Sequence, residues 1–173
     1  MTSLEDAGVV PRLVGERPEE WQLGVLTVVI DRDGARLRYA REPVGRAKPR
    51  AGDIATAWRR AIARLGSRSQ TPDRFLAALG AAYAAVLARG GGRDGDRVAL
   101  VDLRAELRCS RAQFAWDFAR LRRERRLVVD GRRVDLGIAT GHATARRSRV
   151  VWLEDDGGGA YYATFRLAAQ EAR

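Results

Sequence analysis

Five side chains suited to contact with a polyanion fall within one short stretch: Arg111, Gln113, Trp116, Arg120 and Arg123. If that stretch is a helix, each residue advances by about 100°. Phe114, Phe118 and Leu121 then share one face, and Gln113, Trp116, Arg120 and Arg123 lie on the opposite one. A helix fits the major groove of duplex DNA, where an Arg fork donates to guanine O6 and N7 and Gln pairs with adenine. Trp116 can stack on an unpaired base or pack against sugar and thymine methyl. Arg132 and Arg133, with Arg108 and Arg111, suit phosphates or a minor groove. The same outward Trp between arginines also suits a protein–protein hot spot. It would equally accept cover from the N-terminal part of the same chain.

Catalytic chemistry finds little support. Cys109 is the single Cys and His142 the single His, which cannot supply the three or four ligands of a zinc site. His142 lies in a polar loop, followed by Arg146, Arg147 and Arg149. Cys109 directly precedes a helix cap, a position that can lower a thiol pKa. With no His close to it in sequence, it reads as a small half-buried residue. The acid pairs Glu19/Glu20 and Asp155/Asp156 fall in a lead-in and a turn, without the framework that acid–base or two-metal chemistry needs. The expectation is a non-enzyme with no catalytic residues, metal or cofactor.

Charge points the same way. The chain carries 32 Lys+Arg against 22 Asp+Glu over 173 residues, net +10. Lys48 is the only lysine, a bias toward Arg expected of a GC-rich coding sequence. Position is therefore more informative than total. Residues 97–149 hold fourteen arginines against six acids, a localised excess typical of a polyanion binder. The bland alternative is a solvated Arg-rich face. No apolar run reaches the length of a membrane helix, and Glu5 and Asp6 stand where a signal peptide would be basic and then apolar. A soluble, cytoplasmic protein is expected, nucleoid-associated if it binds DNA.

The positioning elements follow from periodicity and punctuation. Residues 1–20 read as a loose lead-in, Trp21–Ile30 as a strand, and Ala35–Arg41 as its hairpin partner across Asp31-Arg32-Asp33-Gly34. Pro43–Arg50 reads as a linker. Asp53 is placed to cap a helix to Leu65, with Trp58 on its apolar stripe. Thr71-Pro72-Asp73 starts a second helix, which Gly90-Gly91-Gly92 ends. A short strand at Arg97–Leu100 and a helix at Asp102–Arg108 precede a helix capped by Ser110 and running to about Glu124. Leu127–Val129 and Arg132–Leu136 form a hairpin about Asp130-Gly131. Arg149–Leu153 and Tyr161–Leu167 form another, with Trp152, Tyr161 and Phe165 in core patterning.

The order helix, strand, short helix, longer helix, strand, turn, strand over residues 72–136 resembles a winged helix-turn-helix domain. Val98-Ala99-Leu100-Val101-Asp102-Leu103-Arg104-Ala105-Glu106-Leu107 resembles that family's first strand and second helix. Phe114-Ala115-Trp116-Asp117-Phe118-Ala119-Arg120-Leu121 and the following Arg122–Val128 resemble its third helix and the entry to the wing. The resemblance implies that helix 111–124 is the recognition helix. One departure stands out: Arg125 occupies a position where such domains often place Gly, to end the helix with positive φ.

The fold expected is α+β, a winged helix-turn-helix core with added N-terminal and C-terminal β-hairpins. Its parts are residues 1–66 (lead-in, hairpin and helix), 67–136 (winged helix) and 137–173 (basic loop and hairpin), with the two added hairpins pairing into one small sheet. The function expected is non-enzymatic binding of double-stranded DNA, as a regulator or an accessory subunit of a DNA-handling complex. Arg108, Arg111, Gln113, Trp116, Arg120, Arg123, Arg132 and Arg133 would make the contacts. The alternative is a winged-helix protein-interaction module in a multiprotein assembly, with Trp116 and its Arg neighbours as the interface. A homodimer stays open.

Overall fold

The computed structural model describes residues 8–155 and 158–168. The fold is α+β, and the chain divides into two compact units at Arg68/Ser69.

The first unit is an antiparallel meander: β1 (Arg12–Glu16), β2 (Glu19–Leu23), β3 (Leu26–Asp31), β4 (Gly34–Tyr39) and β5 (Glu42–Ala47), paired in chain order. It is thus larger than the single hairpin expected. Gly24, at φ +59°, turns the chain inside what the sequence suggests is one strand from Trp21 to Ile30. Its left-handed conformation is cheap only for Gly and suits a two-residue hairpin turn. The lead-in supplies β1 and the start of β2. The expected linker supplies β5, where Pro43 is tolerated because the strand lies at the sheet edge. Helix α1 (Ala51–Ser67) follows, with Arg50 rather than Asp53 at its cap position; Asp53 sits in the first turn, where a carboxylate suits the helix dipole. Ile54, Ala61 and Leu65 are buried, and Trp58 Nε1 donates to the Leu23 carbonyl at 3.0 Å.

The second unit begins with α2 (Pro72–Gly90), whose first turn is capped by Thr71 accepting from the Arg74 N–H. Then come β6 (Val98–Ala99), α3 (Leu100–Glu106), α4 (Arg111–Arg123), β7 (Val128–Val129) and β8 (Arg132–Ile138). After these lie α5 (His142–Ala145), a 3-10 turn at Arg147–Arg149, β9 (Val151–Asp155) and β10 (Gly158–Ala168). Ser110 caps α4 by accepting from the Gln113 N–H at 3.1 Å. Asp130 and Gly131, both at positive φ, make the tight turn between β7 and β8.

The last hairpin does not pair with the N-terminal one, as expected, but completes the sheet of its own unit. Strand β10 pairs with β8 on one side, and with β9 and then β6 on the other. Residues 137–168 therefore continue the unit that holds 69–136 instead of forming an appendage. Phe165 of β10 is fully buried and packs on Tyr83 of α2 with ring centroids 5.6 Å apart. Phe75, Phe114 and Phe118 make a second aromatic cluster, with Phe75 edge-on to both partners at 6.0 and 6.4 Å. Such pairs add about 0.5–1.5 kcal/mol each beyond the area they bury. Tyr83 stays satisfied in the core, since its hydroxyl donates to the Asp96 carbonyl at 2.8 Å.

Arg125 adopts φ +54° just beyond α4, the conformation that the missing glycine would have made cheap. Arg125→Gly is expected to stabilise the protein by about 0.5–1 kcal/mol. A urea midpoint equal to or below that of wild type would show that the strain is relieved elsewhere.

Candidate nucleic-acid interface

The α3–α4 turn, helix α4 and the β7–β8 hairpin hold all eight residues singled out from the sequence, but they hold them differently. Helix α4 is covered on more of its surface than its sequence periodicity suggests. Phe114, Phe118 and Leu121 face the core, and Ala112, Gln113, Ala115 and Asp117 are buried as well. Strand β9 packs along the helix. Arg122 reaches toward the last hairpin, donating to the Tyr162 hydroxyl at 2.8 Å with its guanidinium 5.1 Å from that ring's centre. A sequence wheel cannot show this cover, because β9 and β10 lie some 30 residues or more downstream.

Gln113 is not on the open face. It is only 8% exposed, and its amide donates to the Asp117 carboxylate at 3.3 Å. The Ser69 hydroxyl donates to the same carboxylate, and Arg120 Nη1 donates to the Ser69 oxygen at 3.2 Å. The result is a buried polar chain, Gln113–Asp117–Ser69–Arg120, along one edge of α4. Burial pushes the Asp117 carboxyl above its ordinary range, although Ser69, Gln113 and Arg120 each pull it down. The (i, i+4) spacing of Gln113 and Asp117 is the sequence signal for this pairing.

Other arginines are engaged too. Arg111 donates to the backbone carbonyls of Arg147 and Ser148 at 2.5 and 2.8 Å, tying the 3-10 turn to the start of α4. Arg132 grips both oxygens of Asp94 at 2.5 Å, which holds its guanidinium still more firmly protonated. Arg120 also pairs with Glu124 at 3.4 Å. By contrast, Arg108, Arg123 and Arg133 are exposed, and none makes a side-chain hydrogen bond or ion pair to another described residue. Trp116 is half-buried. The open remainder thus comprises the α3–α4 turn (Arg108), the far end of α4 (Arg123) and the hairpin (Arg133).

The chain matches no protein-family model, no curated protein and no solved structure. The arrangement must be judged on its chemistry.

That chemistry offers point charges more than base-reading groups. A guanidinium with no internal partner can neutralise a phosphate without first breaking a bond, whereas Arg111 and Arg132 would exchange one acceptor for another. No group of His, Cys, Asp and Glu among the described residues has a metal-binding arrangement, and His142 is exposed in α5. Burial pushes the Cys109 thiol up to about 11, outweighing the nearby Arg104 charge that lowers it. At Asp135 the balance is opposite: hydrogen bonding to Arg166, then the Arg97 charge, draws its carboxyl below the usual range. Arg97 and Arg166 contact it at 2.8 and 2.7 Å, tying the residue before β6 and strand β10 to β8.

Two outcomes follow. Because the Asp117 pKa is raised on folding, its burial penalty is absent below the unfolded value near 3.8 and grows as pH rises through the folded value. The stability of wild type relative to Asp117→Asn should therefore fall as pH rises above the unfolded value near 3.8, measured as the difference in thermal midpoint; a difference that rises with pH would contradict the assignment. Cys109 should stay inert toward a thiol reagent at pH 8 in folded protein and react promptly once unfolded, whereas fast native labelling would show an activated thiol.

Proposed function

We propose that this chain is a non-enzymatic, winged-helix type protein that binds duplex DNA mainly through its phosphate backbone, as an accessory subunit of a DNA-handling complex. The observation that carries this reading is the set of exposed, internally unpaired arginines on three successive elements, Arg108, Arg123 and Arg133. Phosphate contacts set position and affinity but carry no sequence information. With Gln113 turned inward to Asp117, the helix keeps few groups able to distinguish bases. Binding would therefore be weakly sequence-selective and strongly salt-dependent.

A second reading rests on Trp116, which is half-buried beside Arg120 and Arg123 on the less covered side of α4. Trp and Arg dominate protein hot spots, so the same face suits a protein partner in a larger assembly. Salt separates the two readings, since a desolvated hot spot keeps its affinity where phosphate contacts lose theirs.

Fluorescence anisotropy of a random duplex between about 50 and 300 mM salt tests the proposal. Each lost phosphate contact should reduce the slope of log K against log salt by about 0.9. The triple variant Arg108→Ala/Arg123→Ala/Arg133→Ala should thus lower the slope by about 2–3 and weaken binding at low salt, while Gln113→Ala leaves sequence preference unchanged. A slope equal to that of wild type would overturn the assignment.

A further inference from the structure

The first unit gathers unpaired positive charge of its own. A shallow cavity of about 300 Å³ lies between the end of β5 and the first turns of α1, with Arg46, Lys48, Arg50 and Arg60 among its lining residues. A second, of about 370 Å³, shares Arg46, Ala47 and Lys48 with it and adds Arg32 from the β3–β4 turn. Against these five cations stand only Asp33 and Asp53. None of the five makes a side-chain hydrogen bond or ion pair with another described residue. The neighbouring cations are built differently: Arg36 is held by Asp31, and Arg64 donates to the Val44 carbonyl. Thr56 is satisfied within the helix, donating to the Gly52 carbonyl at 2.9 Å.

We propose that these adjoining cavities form a binding site for linked phosphates, centred on Arg46 and Lys48. Five cations lining two adjoining shallow depressions repel one another, and a polyanion relieves that repulsion. A chain of phosphates matches the layout better than a single one, because Arg46 and Lys48 line both cavities while Arg32 serves one and Arg60 the other. Lys48 suits the shared position: its ammonium is a compact point charge on a flexible stem, able to follow either phosphate. The site belongs to the first unit and does not depend on the role proposed for α4. The linked phosphates can come from a nucleic-acid backbone or from a free polyphosphate.

Calorimetry on the full chain with inorganic tripolyphosphate, and anisotropy with a random duplex, both at about 50 mM salt, test the proposal. The variant Arg46→Ala/Lys48→Ala is compared with Arg68→Ala/Arg93→Ala, which removes the same charge from exposed positions elsewhere. Far-UV circular dichroism checks that each variant is folded. The cavity variant should bind tripolyphosphate at least about tenfold more weakly than wild type, and the control within about twofold. If nucleic acid is the source, the cavity variant also lowers the duplex salt slope by about two, and tripolyphosphate competes with the duplex. If a free polyphosphate is the source, duplex binding is unchanged. Arg108→Ala/Arg123→Ala/Arg133→Ala should leave tripolyphosphate binding intact, which separates this site from the α4 face. Equal losses in the cavity variant and the control would overturn the proposal. So would a wild type that does not bind tripolyphosphate and whose duplex binding the cavity variant leaves unchanged.

Discussion

Strand β10 holds the second unit together through hydrogen bonds on both of its edges. It takes β8 on one side, and β9 and β6 in succession on the other. Most of what distinguishes this unit follows from that placement. Phe165 is carried into the core against Tyr83. Asp135 of β8 gains Arg166 of β10 as a partner. Strand β9, paired with β10, is held along α4, where it covers a face that the helix alone would leave open. Removing β10 would expose polar backbone on three other strands, each unpaired buried group costing about 1–3 kcal/mol. The cover on α4 is part of the fold and not a detachable lid.

This cover changes what the arginines of the second unit can do. A guanidinium bound to backbone carbonyls or to a carboxylate still contributes charge to the surface field, but it gives up directional donors to the fold. Arg111, Arg122 and Arg132 are in that position. Arg108, Arg123 and Arg133 retain all their donors for an outside acceptor. In this chain, abundance of Arg does not by itself show which guanidinium groups are open to an outside acceptor. The absence of an internal acceptor shows it, and in the first unit Arg32, Arg46, Lys48, Arg50 and Arg60 meet the same criterion.

Local chemistry was legible in the sequence wherever a single turn decides it. Thr71 and Ser110 cap their helices, Asp130-Gly131 turns the β7–β8 hairpin, and Arg125 takes the left-handed conformation that its position demands. The meander was harder to see, because Gly24 interrupts an otherwise continuous run of β-favouring residues and prolines mark both the lead-in and the linker. The candidate site was legible as a region but not residue by residue. Gln113 lies at the border of the outward face, where a wheel cannot choose between solvent and Asp117. Ser69, which helps settle that choice, lies about 50 residues earlier. The partners of Arg111 and Arg132 are similarly remote, Asp94 and the carbonyls of Arg147 and Ser148. Long-range pairing of this kind leaves no periodic trace.

The two sheets also differ in when they can form. Every strand pair of the meander joins neighbours in the chain, so each hairpin can close as soon as its second strand leaves the ribosome. In the second sheet, Val98 must wait for Phe165, and the buried side of α4 waits for β9. While that stretch is being made, the side of α4 against which β9 packs lacks its cover. The first unit can thus be complete while the second is still collecting its strands. Chaperone demand and aggregation during synthesis would then be concentrated in residues 98–165, the interval between a strand and its last partner.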